Sequence, residues 1–311
     1  MTDDGRQIMT QRIVLLGDPV AHSRSPAFQN AALAHLGIDA RYEAWHTPAA
    51  ELPARVAALR APAVVGANVT LPHKTAVMPL LDDIEAEAAQ IGAVNTIYKR
   101  PDGALVGTNT DAPALLEALR EEGGFVPEGR HGVMLGASGA ARAAAYALVN
   151  AGVARLVVAN RTLERAEELL ADVLAYYWET ADPGDGGTTP SAYSDGRLPV
   201  AWRYPPPRLI ALTLDDPELA DYLADSTLLL NATSLGWHAD ETPLPDPPVP
   251  AGMLVYDMVY RPTRLLQDTA ARGARPLDGM GMLLRQGALA FTRWTGQPAP
   301  LEVMRAALRE A

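Results

Sequence analysis

Apolar positions in this chain fall into short runs separated by longer stretches of helical periodicity, and that alternation sets the expected architecture. Residues 12–16 form an apolar run closed by Gly17-Asp18-Pro19, which predicts a buried strand followed by a turn. Pro26 then opens a helical stretch to about residue 35, with Ser25 expected as its N-cap and Gly37 as its stop. The pattern repeats: 42–46 reads as a strand, 48–60 as a helix and 64–69 as a strand. Residues 82–90 read as helical, 93–98 and 105–107 as a hairpin around Asp102-Gly103, and 112–122 as helical again. Strands alternating with helices predict a mostly parallel sheet covered on its faces.

A second unit of this kind begins after Glu122-Gly123-Gly124. Residues 133–136 read as a strand, 139–150 as a helix and 156–159 as a strand, the βαβ layout of a mononucleotide-binding half, with 162–177 as its next helix. Residues 228–231 and 254–256 are further short strands, separated by a proline-rich loop over 243–250, and the alanine- and leucine-rich tail from about 282 reads as helical. The stretch from 180 to 207 is dense in Pro, Gly, Asp, Ser and Thr and exceeds the usual connection length, which predicts a surface excursion. No internal repeat is evident.

A length of 311 residues favours two domains over one core. With 48% hydrophobic residues and no apolar run of membrane-spanning length, the expectation is a soluble globular protein. The first residues are partly acidic and lack the apolar stretch of a secretory signal, so the cytoplasm is the expected compartment. The absence of cysteine excludes disulfides, thiolate zinc sites and a cysteine nucleophile. A formal net charge of -11 argues against nucleic acid as a partner while leaving room for a small anionic ligand. The six histidines show no HExxH or similar spacing, so no metal is expected.

Two ionisable residues sit in polar, glycine-bracketed segments that would make poor core. Lys74 closes residues 66–74, Asp111 closes Gly107-Thr108-Asn109-Thr110-Asp111, and Gly92-Ala93-Val94-Asn95-Thr96 lies between them. The bland readings are a helix N-cap for Asp111 and an exposed first-turn lysine after Pro72. Gly136-Ala137-Ser138-Gly139-Ala140-Ala141 is a degraded G-x-G-x-x-G/A, with Ser138 where the second glycine would stand. It follows a strand and opens an alanine-rich helix, whose free N–H groups suit a pyrophosphate; an ordinary tight turn is the alternative. The second strand ends at Asn160-Arg161-Thr162, with Arg165 one turn later, where an NAD site would usually carry Asp or Glu. A neutral amide and two guanidiniums favour the 2′-phosphate of NADP, unless Arg165 merely pairs with Glu164 or Glu168. An ammonium and a carboxylate accompanying a dinucleotide site point to hydride transfer to a carbonyl.

Taken together, these segments resemble the shikimate dehydrogenase family over nearly the whole chain. The resemblance is carried by residues 17–26, 68–74, 91–96, 109–111, 136–142 and 160–162, by Asn231-Ala232-Thr233-Ser234, by Tyr256-Asp257-Met258-Val259-Tyr260 and by residues 279–288. It implies an α/β fold of two domains: a mixed or parallel-sheet substrate domain over 10–112 plus 280–311, and a Rossmann-like, doubly wound NADP-binding domain over 113–279. It implies that Ser23 and Ser25 hold the substrate carboxylate, that Asn68, Thr70, Asn95 and Gln286 bond ring hydroxyls, and that Tyr260 lines the pocket. Lys74 and Asp111 resemble the catalytic pair. Gly136, Ala137, Ser138, Gly139, Ala140, Asn160, Arg161, Thr162, Arg165, Thr233, Ser234, Met258 and Gly279 fall at cofactor-binding positions.

The implied activity is reversible NADPH-dependent reduction of 3-dehydroshikimate to shikimate, on the route to aromatic amino acids, by a monomer or homodimer without nucleic-acid or membrane partners. Alternatives are a quinate or dual quinate/shikimate dehydrogenase, a reductase for another hydroxylated cyclic acid, and a non-catalytic ligand-binding paralogue. The serine pair Ser23 and Ser25 resembles the shikimate type, and a sensor would be expected to have lost Lys74 or Asp111. Departures from the family pattern are His73 where an aromatic or other residue is frequent, Thr75 where Glu is common, and Gln29 where a histidine often precedes Asn30.

Overall fold

The computed structural model describes residues 10–179 and 204–311. The amino-terminal residues and the 180–207 excursion, apart from 204–207, lie outside the described residues. The chain divides into two compact units. The first comprises the chain up to Ala89 with Ala93–Thr110 and Gln286–Ala311; the second comprises Gln90–Gly92 and Asp111–Arg285.

The first unit contains strands β1 Gln11–Gly17, β2 Ala40–His46, β3 Val64–Val69, β4 Asp83–Ile84, β5 Thr96–Lys99 and β6 Leu105–Thr108, in the order β2-β1-β3-β5-β6-β4. β1 runs parallel to β2 and β3, whereas β5 is antiparallel to both β3 and β6, so this sheet is mixed. The apolar run of β1 is nearly continuous because the strand is covered on both faces. Val14, Leu16, Leu59, Ala67, Val69 and Ile97 form its core with Val56 of helix α2, Leu52–Ala58. Each of the Val, Leu and Ile side chains contributes roughly 1.5–3 kcal/mol on burial. Gly66 has no room for a side chain: the Trp294 indole fills that space and donates to the Ile97 carbonyl at 2.9 Å.

Three local expectations need correction. Helix α1 spans Ser25–His35, so Ser25 is its first residue, and Arg24 occupies the N-cap position without a side-chain capping bond. The Ser25 hydroxyl is engaged instead by Tyr42. Residues 82–85 are extended rather than helical, because Asp82 N–H bonds the Leu105 carbonyl and Glu85 N–H that of Gly107; helix α3 is only Ala86–Ile91. The 48–60 helix is a 3₁₀ turn, Ala49–Glu51, leading into α2.

Among the described residues the second unit holds six parallel strands: β7 His131–Leu135, β8 Arg155–Asn160, β9 Arg208–Thr213, β10 Leu228–Asn231, β11 Leu254–Asp257 and β12 Arg275–Leu277. Their order, β12-β11-β10-β7-β8-β9, reverses direction between β7 and β10, which is the doubly wound arrangement expected. Helices α4 Asp111–Glu121, α5 Gly139–Asn150, α6 Leu163–Glu179, α7 Leu219–Ala224 and α8 Arg264–Ala271 accompany it. Val133, Leu135, Val157, Leu229, Val255 and Leu265 form the core.

The carboxy-terminal tail is two helices, α9 Met280–Thr295 and α10 Leu301–Glu310, broken where Gly296 takes a φ of 68° before Pro298 and Pro300. The start of α9 is tied to the end of α4 by Arg285, which is buried and pairs with Glu121 at 2.8 Å and with Glu122. Among the described residues no helix is long and apolar enough to cross a membrane.

Candidate functional site

In the first unit a chain of buried hydrogen bonds joins several expected substrate residues. Asn68, near the end of β3, accepts from the Tyr42 hydroxyl at 2.8 Å and donates to the Asn95 carbonyl and Thr96 Oγ1, each at 3.1 Å. Asn95 donates to Thr110 Oγ1 at 2.9 Å and accepts from the Thr110 N–H at 2.8 Å. Ser25 extends the chain from the Tyr42 side, and the Ser25 N–H donates to Ser23 Oγ at 3.3 Å. Burial pushes the Tyr42 phenol above its ordinary range, so it remains a donor at physiological pH. A buried polar network with its members satisfied holds their rotamers. Ser23, Ser25, Asn68 and Asn95 are thereby linked through Tyr42, Thr96 and Thr110, three residues that the sequence reading did not single out.

Thr70 follows β3, its N–H bonded to the Leu16 carbonyl at 2.9 Å. Lys74 is half-buried on the next turn, which is pinned from two directions: its carbonyl accepts from Val94 N–H at 2.8 Å, and buried His73 places Nε2 2.6 Å from the Thr47 carbonyl. Gln286 is buried on α9; beside it, the Gly287 carbonyl accepts from Gln29 Nε2 at 2.9 Å, and the Phe28 ring occupies the space a side chain at 287 would need. Asp111 and Tyr260 belong to the second unit. Asp111 is buried as the first residue of α4, where a carboxylate complements the helix dipole. Tyr260 packs edge-on against Trp237 with ring centroids 4.8 Å apart.

In the second unit the glycine turn meets β10 at the point where strand order reverses. Gly136 follows β7 with φ 101°, and a Cβ there would stand 2.9 Å from Thr233 Cγ2 and 3.1 Å from the Thr233 nitrogen. Both conformation and close approach therefore demand glycine. Ser138 caps α5 by accepting from Ala141 N–H, and its hydroxyl donates to the Ala232 carbonyl at 3.1 Å. Ala137, Gly139 and Ala140 share this half-buried turn. Met258 and Gly279 also meet, since the Met258 carbonyl occupies the space a Cβ on Gly279 would take. Asn160 ends β8, on the other side of β7 from this group, and its side chain donates to the Thr162 carbonyl at 2.8 Å. Arg161, Thr162, Arg165 and Ser234 are exposed. The positive N-terminus of α5 beside Gly136, where no side chain fits, with guanidiniums past the next strand, fits a dinucleotide bearing a 2′-phosphate.

One carboxylate of this unit lies within the 256–260 motif but at none of the positions to which the family resemblance assigns a role. Asp257, at the end of β11, is fully buried, and burial pushes its carboxyl up to about 6 against the bonds it accepts from Thr263, Val259 N–H and Asn231. Among the described residues, no group of three or more His, Cys, Asp or Glu side chains could hold a metal ion.

Comparison with known proteins bears on this arrangement. A Moorella thermoacetica protein named shikimate dehydrogenase (NADP(+)) is 45% identical over 306 residues, covering 97% of this chain and 94% of the relative. The chain belongs to the shikimate dehydrogenase family. A Methanopyrus kandleri relative of the same name is 40% identical over 97% of this chain and 96% of its own length. The family model for the shikimate dehydrogenase substrate binding domain matches residues 15–97, and that for the shikimate 5′-dehydrogenase C-terminal domain matches 279–309. Among solved structures, shikimate 5-dehydrogenase from Thermus thermophilus, in complex with NADP(H) and shikimate, superposes with a TM-score of 0.77 at 37% identity over 96% of this chain and 99% of that one. The family resemblance carried by the motifs is thus borne out, as is the two-domain α/β class.

Proposed function

We propose that the chain catalyses the reversible NADPH-dependent reduction of 3-dehydroshikimate to shikimate. The observation that carries this reading is near full-length identity of 45% to a relative named as an NADP-dependent shikimate dehydrogenase. The retention of both Lys74 and Asp111 favours an enzyme over a ligand sensor. Segments 10–112 and 280–311 would form the substrate domain and 113–279 the NADP domain, acting in the cytoplasm as a monomer or homodimer.

Bound NADPH would supply the hydride. At the substrate, hydride adds to the carbonyl carbon, the carbon–oxygen π pair moves to oxygen, and the Lys74 ammonium gives that alkoxide a proton while stabilising its charge. Asp111 would complete the catalytic pair. Ser23 and Ser25 would hold the ring carboxylate, Asn68, Thr70, Asn95 and Gln286 the hydroxyls, with Tyr260 lining the pocket. The turn Gly136, Ala137, Ser138, Gly139 and Ala140 would cradle the pyrophosphate, and Arg161 and Arg165, with Asn160 and Thr162, would take the 2′-phosphate through charge-assisted bonds. Thr233, Ser234, Met258 and Gly279 would line the rest of the cofactor's path.

Replacing Lys74 tests this assignment. Lys74→Ala should lower kcat by roughly 10²- to 10⁴-fold with a smaller change in KM, as loss of a transition-state interaction does. A folded variant with wild-type kcat would reject the role of Lys74.

A further inference from the structure

Strand β11 ends in a buried carboxylate that neither the proposed proton transfer nor the proposed substrate contacts use. Asp257 Oδ1 accepts from Asn231 Nδ2 at 2.9 Å and from Val259 N–H at 3.0 Å, and Oδ2 accepts from Thr263 Oγ1 at 2.7 Å. Asn231, equally buried at the end of the neighbouring strand β10, turns its other face to the cofactor turn. Its Oδ1 accepts from Thr233 N–H at 3.0 Å and from Thr233 Oγ1 at 2.7 Å. The methyl of Thr233 is the atom nearest the space where a side chain on Gly136 would stand.

Asp257 anchors one end of the order of donors and acceptors along this line. Burying an ionised carboxylate is costly, so a position that needed only filling would carry an apolar or amide side chain. An amide can present either end to a partner, but a carboxylate accepts only. Asn231 turns its NH₂ towards two obligate acceptors, the Asp257 carboxylate and, at 3.2 Å, the Leu235 carbonyl, which leaves Oδ1 facing Thr233. The Thr233 hydroxyl then donates to Asn231 and accepts from the Leu235 N–H at 3.1 Å, which fixes its χ1 and the path of the chain over Gly136.

We propose that Asp257 is a positioning residue for the cofactor: through Asn231 it holds the Thr233 turn in register with the Gly136 cradle that receives the pyrophosphate. The inference rests on the reading that the second unit binds NADP, and it concerns affinity for that ligand rather than the hydride step.

Direct binding of NADPH to the full-length chain, followed by nicotinamide fluorescence, tests this without requiring turnover. Asp257→Asn offers Asn231 an amide in place of an obligate acceptor and should weaken NADPH binding by about tenfold or more, the scale of a lost bond to a charged group. KM for shikimate at saturating NADP should stay within about twofold, a split that general loosening of the fold would not produce. Thr263→Val should reproduce part of the loss and Thr263→Ser, which keeps the donor, should restore it; this pair decides the matter should Asp257→Asn fail to fold. Folded variants that all bind NADPH like the wild type would overturn the inference. So would equal weakening towards NADPH and shikimate. A wild-type chain that binds no NADPH would instead overturn the cofactor reading itself.

Discussion

The Tyr42 hydroxyl donates to Asn68 Oδ1 at 2.8 Å, and both side chains are buried. Asn68 is a proposed contact for a substrate hydroxyl, so a tyrosine outside every sequence motif holds it in place. Tyr42→Phe keeps the ring and leaves Asn68 Oδ1 without this donor, which should cost about 1–3 kcal/mol of stability in chemical denaturation. With Asn68 held from its amide nitrogen only, kcat/KM for shikimate should fall about tenfold, mostly through KM. Unchanged stability and unchanged KM would show that the bond orders nothing.

Arg161 and Arg165 carry the proposed choice between NADP and NAD. Replacing both with alanine should raise KM for NADP by roughly 10- to 100-fold and leave KM for NAD within about threefold, because only the 2′-phosphate loses its charge-assisted bonds. Parallel loss with both cofactors would place the arginines elsewhere than at the 2′-phosphate.

Asp257 makes stability depend on pH in a direction opposite to most paired carboxylates. Burial raises it from an ordinary value of 3.8 to about 6, with Asp278 adding to the rise. Between those values the folded chain keeps a proton that the unfolded chain has lost. The stabilisation is therefore fully present below about pH 4 and lost as pH rises through about 6, on the order of 3 kcal/mol. Unfolding free energies of the wild type and Asp257→Asn, measured from pH 4 to 7, should diverge to the wild type's disadvantage by this amount. Carboxylates such as Asp82, which Arg60 holds down at about 2, titrate alike in both proteins and cancel. A difference that does not vary with pH would contradict the assignment.

The parts of the fold that are legible in the sequence are those with a local cause. Val64–Val69 and Leu228–Asn231 are apolar runs between turn residues, and Gly139–Asn150 follows a glycine turn into an alanine-rich helix. β4 has only two residues and exists because Asp83 and Ile84 pair with Val106 and Gly107, which no window reading can see. β9, Arg208–Thr213, follows three prolines at the edge of its sheet and is mostly half-buried, so its apolar signal is weak. Ser25 looks like a cap in its own segment, yet its hydroxyl serves Tyr42 on another strand.

The same contrast divides the candidate site. Lys74 and Asp111 stand out because charged residues in glycine-bracketed polar segments have little structural use. Gly136 stands out because its backbone conformation and the approach of Thr233 admit no side chain. Tyr42 and Asp257 carry no such local mark. Tyr42 meets Asn68 from another strand, and Asn231 reaches Asp257 only once β10 and β11 lie side by side, although Val259 and Thr263 are close to Asp257 in sequence.

Oxidoreduction of shikimate with NADP is tested most directly by following the nicotinamide absorbance when the purified chain is given each combination of shikimate or quinate with NADP or NAD. NADP reduction that depends on shikimate, with kcat/KM for that pair exceeding the other three, is the predicted result. Absence of turnover, or a higher kcat/KM with quinate, would contradict the account.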